Sequence, residues 1–227
     1  MPPQGAITKK ALESITPERR DLWDELNLPP EIASFIRKNA RLLQIGLATL
    51  VALLIVWQSF SHYLDVREKK SAALLAQAME EKDEPRRRDL LNRIMTEYSR
   101  SEASVWSRVE LAHEAAKAGN YEESVKMYTE ALDRTSGKSP ILPLLELGIA
   151  SSLESKNELD QAAEHYTRLT QLSGFAPEGY LGLGRVYERK NDPAKAKEAY
   201  EKYLAAVKDQ PGEMKAWVEE RLARLGK

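Results

Sequence analysis

The chain contains no cysteine, and that absence removes disulfides, thiolate metal sites and cysteine nucleophiles together. Histidine is nearly as scarce, with His62, His113 and His165 the whole supply. His113 and His165 have no Ser, Cys or second His at ligand spacing, and each lies in a charged helical stretch. A metal or catalytic site needs converging partners, so both are expected to be solvated or locally satisfied. An excess of charge is missing too. Lys and Arg number 34 against 35 Asp and Glu, a formal net charge of −1. That balance gives no electrostatic reason to bind nucleic acid and no polybasic membrane face. Gly182 and Gly184 form a short Gly-x-Gly, but inside a helical pattern and after no strand, which excludes a dinucleotide loop. Paired carboxylates such as Glu122-Glu123 and Glu219-Glu220 belong to exposed helical faces. The expectation is a protein with no enzymatic activity and no cofactor.

One long hydrophobic run is present. Residues 42–60 pass without a charge, and 19 residues of helix rise roughly 28 Å, about the thickness of bilayer hydrocarbon. Leu42, Gly46, Leu50, Leu54 and Trp57 mark its successive turns. Arg37, Lys38 and Arg41 precede it, and Trp57, Phe60 and Tyr63 stand near its far end as an interfacial belt would. A transmembrane helix over 42–62 is expected. The run is longer than a usual signal-peptide core and no small-x-small cleavage site follows it, which points to an uncleaved anchor. Arg67, Lys69 and Lys70 beyond the run balance the three cations before it. Long domains translocate largely regardless of charge, so the basic tail, with Lys9, Lys10, Arg19 and Arg20, favours a cytoplasmic N-terminus.

The tail, residues 1–41, is expected to be partly helical. Thr16-Pro17-Glu18 reads as a helix start, and Leu22, Trp23, Leu26 and Leu28 form an apolar stripe that Pro29-Pro30 breaks. After the span, residues 63–104 read as a membrane-proximal hairpin interrupted at Asp83-Glu84-Pro85. Its second helix carries Leu90, Leu91, Ile94, Met95 and Tyr98 on one side. Arg86, Arg87 and Arg88 read as a solvated face of that helix.

From residue 105 the sequence repeats. Leu111-Ala112, Leu147-Gly148 and Leu183-Gly184 recur 36 residues apart. Each is followed by a break and a second helix, marked by Ser124, Tyr128 and Ala131, by Ala162, Tyr166 and Leu169, and by Ala196, Tyr200 and Tyr203. First and second marks lie 13 residues apart in the outer units and 15 in the middle one. Two extra residues are therefore expected around Glu154 to Asn157, absorbed by a turn. A small residue at the first mark lets two helices approach, and no hairpin buries its apolar face alone, so at least three must stack.

At these positions the chain resembles the tetratricopeptide repeat (TPR) family, most clearly at Tyr180, Leu183, Gly184, Tyr187, Asn191-Asp192, Ala196 and Tyr200. Ala115 and Ser151 replace the first-helix aromatic in the other two units. The resemblance implies an all-α fold: three TPR units over 105–210, stacked as an α-solenoid of helical hairpins. A capping helix over 211–227 follows, with Met214, Trp217, Val218, Leu222 and Leu225 on one face. It further implies a groove for protein or peptide clients lined by first-helix positions. Here those are Trp106, Val109, His113 and Lys117 in the first unit. In the third they are Glu178, Leu181, Arg185, Glu188 and Arg189. This surface lacks the dense Lys/Arg clamp that suits a terminal carboxylate.

A basic tail, one span and a degenerate hairpin leading through Tyr98-Ser99-Arg100-Ser101 into TPR units resembles the ancillary subunit family of the bacterial SecYEG translocon. Such proteins hold a TPR domain on the periplasmic side of the inner membrane and cooperate with periplasmic chaperones. Two other readings stay open: a scaffold for cytochrome maturation or cell-division complexes, and a structural protein that self-associates.

Overall fold

A computed structural model describes residues 29–208 and 212–226, which are helical without a strand. The apolar stripe expected at Leu22, Trp23, Leu26 and Leu28 lies outside the described residues. The chain divides into two units, Met1–His62 and Tyr63–Lys227.

In the first unit, α1 (Pro30–Lys38) starts on Pro30, which tolerates the first helical position because the N–H there is unpaired anyway. Helix α2 (Ala40–Glu80) then runs unbroken for 41 residues. Leu42, Leu50, Leu54 and Trp57 are each more than half exposed, and none of the helix's most apolar stretch is buried. The helix is long and apolar enough to cross a membrane.

The second unit begins within α2 and continues as α3 (Glu84–Glu97), α4 (Glu102–Lys117), α5 (Tyr121–Leu132), α6 (Leu142–Ser155), α7 (Leu159–Thr170), α8 (Ala176–Arg189), α9 (Pro193–Ala206) and α10 (Glu213–Leu225). Helices α4/α5, α6/α7 and α8/α9 pair as antiparallel hairpins, joined by three-residue turns at 118–120, 156–158 and 190–192. One position in each turn is left-handed, filled by Gly119, Asn157 and Asn191, residue types that tolerate positive φ. Asn120 and Asp192 then accept from the backbone N–H three residues on and start the second helix.

The packing corrects the register expected for the middle hairpin. Tyr200 lies against Gly184, 16 residues earlier in its own hairpin. Tyr128, by contrast, lies against Gly148 and Tyr166 against Gly182, each in the hairpin that follows. Gly148 therefore matches Gly182, not Gly184. The residues 16 before Tyr128 and Tyr166 are Ala112 and Ala150, both fully buried. In the resulting alignment of Leu111-Ala112, Ile149-Ala150 and Leu183-Gly184, all three hairpins place 13 residues between the two marks. The repeat distances become 38 and 34 residues. The four additional residues sit in the connection 133–141, against 171–175 after the next hairpin, and not near Glu154 to Asn157. A loop between units absorbs an insertion at little cost, whereas one inside the hairpin would rotate the second helix off its partner.

Ala112, Tyr128, Ala150, Tyr166, Leu169, Leu183 and Val186 belong to one continuous core spanning the three hairpins. Tyr200, Tyr203, Val207 and Val218 seal its end beneath α10. Successive first helices touch, α4 with α6 and α6 with α8, while no pair of second helices makes comparable contact among the described residues. The hairpin stack therefore curves toward its first helices.

Candidate partner groove

The inner face of the curve is made by α4, α6, α8 and α10. In the corrected register Trp106, Leu144, Glu178 and Met214 hold one row of equivalent positions, and Val109, Leu147, Leu181 and Trp217 a second, one turn further along each helix. Among the described residues beyond Met79, the large hydrophobic side chains that stand exposed are Trp106, Leu144, Phe175, Met214 and Trp217. Four lie in these rows, and Phe175 immediately precedes α8, where Ile141 precedes α6. No second helix contributes one among the described residues. Scattered exposed hydrophobics are ordinary on a protein surface, but a set confined to one edge marks an interaction surface.

Two recesses open on this edge. One, of about 500 Å³, lies between α4 and α6 and is lined by Val105, Trp106, Pro140, Ile141 and Leu144, with Glu102 and Arg134 at its polar margin. The other, of about 380 Å³, is lined by Leu181, Arg185, Glu213, Met214 and Trp217 between α8 and α10. The longer connection 133–141 supplies Ser136, Ser139 and Pro140 to the first recess.

The charged residues of the face are engaged differently. Glu154 Oε2 accepts from the Tyr166 hydroxyl at 2.7 Å and from Arg185 Nη2 at 2.8 Å, and Oε1 accepts from Arg185 Nε at 3.1 Å. Arg189 donates to the Glu154 carbonyl and to Asn157 Oδ1. The arrangement recurs one hairpin on. Glu188 accepts from the Tyr200 hydroxyl at 3.1 Å and from Arg221 Nη2 at 2.6 Å. Each tie joins a hairpin to the helix after it. Burial pushes the Glu154 carboxyl up, but hydrogen bonds from Arg185 and Tyr166 and the charge of Arg189 outweigh it and hold the group below the usual carboxylate range. Burial, helped by the neighbouring carboxylates, pushes the Tyr166 and Tyr200 hydroxyls well up, so both stay protonated donors. No such tie joins the first two hairpins: Ala116 and Ser151 occupy the equivalent positions. That junction carries a hydroxyl pair, Ser124 with Ser152 at 2.9 Å, in its place.

Of the residues expected to line a groove, Trp106, His113, Lys117 and Glu178 are exposed, and Leu181 edges the second recess. Val109 is turned into the core. Arg185, Glu188 and Arg189 face the groove but are spent on the ties. Leu144, Met214 and Trp217 join the face without having been assigned to it, while Leu147 packs against the core. A 38-residue step from Trp106 would have found Leu144, but the apparent 36-residue period hides it. Of the three arginines read as a solvated face, Arg86 and Arg88 are largely exposed, whereas Arg87 is mostly covered and pairs with Glu114 at 2.6 Å. His165 Nδ1 sits 2.6 Å from Glu146 Oε2 and is satisfied there. No group of three His, Asp or Glu side chains is placed to hold a metal among the described residues.

Two-helix units stacked on shared tyrosine contacts, with an apolar inner edge, define a helical-repeat interaction domain. Residues 33–227 match the tetratricopeptide repeat-like domain, and the chain belongs to that family. No curated protein matches the chain.

Proposed function

We propose that this protein is a membrane-anchored, non-enzymatic adaptor whose TPR-like solenoid holds protein or peptide clients on its inner face. In this reading α2 crosses the bacterial inner membrane once, the tail is cytoplasmic and the solenoid stands in the periplasm. There it assists secreted proteins beside the translocon exit. The carrying observation is the segregation of exposed apolar side chains onto the first-helix edge of the hairpin stack. A fold that spends its polar chemistry on holding hairpins together, while leaving Trp106, Leu144, Met214 and Trp217 open, is built to bind. The apolar, unburied stretch of α2 supports the anchor, because that surface needs an apolar surrounding.

Topology tests the reading first. Reporters active in one compartment only, fused after Lys227 and before Met1, are expected to place the C-terminus in the periplasm and the N-terminus in the cytoplasm. A photocrosslinker at position 106 is then expected to capture translocon subunits and secreted chains. A cytoplasmic C-terminus overturns the localisation. Capture of cytochrome-maturation or division subunits in place of secreted chains overturns the translocon role.

A further inference from the structure

The cations of the inner face are largely occupied. Arg185 is paired with Glu154, Arg221 with Glu188, and Arg189 with a carbonyl and an amide oxygen. The remaining exposed charges, Lys117 and Arg134 against Glu102, Glu178 and Glu213, are of mixed sign. With both signs at the recess margins, this edge offers no patch of one sign that would select an acidic segment, a basic one or a chain-terminal carboxylate. What is left open is apolar and falls at two places. The α4/α6 recess centres on Trp106 and Leu144, the α8/α10 recess on Leu181, Met214 and Trp217. Each has room for an aromatic or branched aliphatic side chain. Glu178 interrupts the outer row between them, so that row is not the unbroken stripe that the apolar face of a bound helix needs.

We propose that the groove binds an extended, uncharged, apolar segment of non-native polypeptide through two anchor side chains about six residues apart. The spacing follows from the helices. The recesses are two first-helix steps apart, and neighbouring helices pack 8–10 Å apart, which gives roughly 20 Å. An extended chain rises about 3.3 Å per residue and returns a side chain to the same face at every second position. Six residues meet both conditions. The proposal rests on the adaptor reading and adds the chemistry of the client.

The test uses the full chain in lipid nanodiscs and fluorescein-labelled peptides read by anisotropy, with empty nanodiscs subtracted. The probes are acetylated, amidated Ser/Gly/Asn peptides carrying two Phe residues two, six or ten positions apart. Versions with Asp or Lys in the background, or with a free carboxylate, accompany them. The six-residue spacing is expected to bind at least fivefold tighter than the other two. Its Kd is expected to change less than twofold between 50 and 500 mM salt, since no ion pair is made. Trp106→Ala and Met214→Ser are each expected to weaken it at least fivefold while leaving the far-UV CD melt unchanged. Met214 is included because Trp217 also packs edge-on against Tyr200 and would confound binding with folding. Tighter binding of the Asp, Lys or carboxylate versions, with a steep loss of affinity in salt, overturns the proposal. So does equal binding of all three spacings. If no peptide binds while the crosslinker at position 106 captures a folded subunit in cells, the client assignment is overturned and the adaptor reading survives. If peptides bind as expected but the C-terminal reporter is cytoplasmic, the localisation falls and the client chemistry stands.

Discussion

Replacing Glu154 by alanine measures what a tie between hairpins contributes. The change removes three hydrogen bonds made to a carboxylate, one from the Tyr166 hydroxyl and two from Arg185. Bonds to a charged group contribute about 1.5–3 kcal/mol each at full burial, and breaking a buried pair costs about 3–5 kcal/mol. Both figures need a discount. The Glu154 side chain is 12% exposed but that of Arg185 is 36%, so the orphaned guanidinium recovers water. The Tyr166 hydroxyl also keeps Arg185 Nη2 at 2.9 Å. The expected loss is about 2–3 kcal/mol, or about 5–10 °C in Tm for a domain of this size. Far-UV CD melts of the nanodisc-embedded chain read it. Glu198→Ala is the control, since its pair with Lys202 spans 2.7 Å on the open surface, where water screens it, and its loss is expected to leave the melt nearly unchanged. The pH dependence carries a sign. A carboxylate held below its usual range stabilises the fold above that range and loses the contribution as pH falls through the lowered folded value. Wild type is therefore expected to outlast Glu154→Ala at pH 7, with the gap closing below about pH 4, the ordinary carboxylate range. A Tm change under 2 °C at pH 7, or a control that falls equally, refutes the reasoning.

Further outcomes are expected elsewhere. Gly182→Ala would place a methyl 2.3 Å from the Tyr166 ring and Gly184→Ala one 2.2 Å from the Tyr200 ring. Each is expected to lower stability by about 1–3 kcal/mol in the same melts, whereas Gly137→Ala, with open space around it, is expected to be near neutral. His165→Leu strands the Glu146 carboxylate, only 7% exposed. A loss of about 3 kcal/mol is expected, largely recovered in the double variant His165→Leu/Glu146→Leu. Leu50→Arg with Leu54→Arg adds about 6–8 kcal/mol to the insertion cost of α2 on translocon scales. Carbonate extraction is expected to release that variant and retain wild type.

The helical-repeat class was legible because its marks are local: Tyr128, Tyr166 and Tyr200 recur with small residues before them, and turns carry Gly or Asn where the backbone goes left-handed. The exact register was not. Gly148 matches Gly184 in residue type but Gly182 in packing, and only the identity of the tyrosine facing each glycine separates the two. Apolar side chains at Trp106 and Val109 look alike on a helical wheel. One is exposed and the other buried because the flanking hairpin, not the helix itself, decides which face is covered. The ties were invisible for a related reason. Glu154 and Arg185 are 31 residues apart, and charges on surface helices carry no mark of the partner they will meet across a stack. Arg87 and Glu114 escaped notice in the same way.

The missing tie between the first two hairpins has a mechanical consequence. In a linear array each unit feels only its neighbours, so compliance concentrates at the weakest interface. From α6 to α10 every junction is cross-braced by a tyrosine, a carboxylate and a guanidinium. The joint between α5 and α6 has two hydroxyls and a longer connection. Local opening should therefore begin there, with amides of α4 and α5 exchanging ahead of those in α8 and α9. The larger recess borders that same joint, so an anchor seated beside Trp106 would bear on the most yielding part of the array. The solenoid would stiffen as it fills.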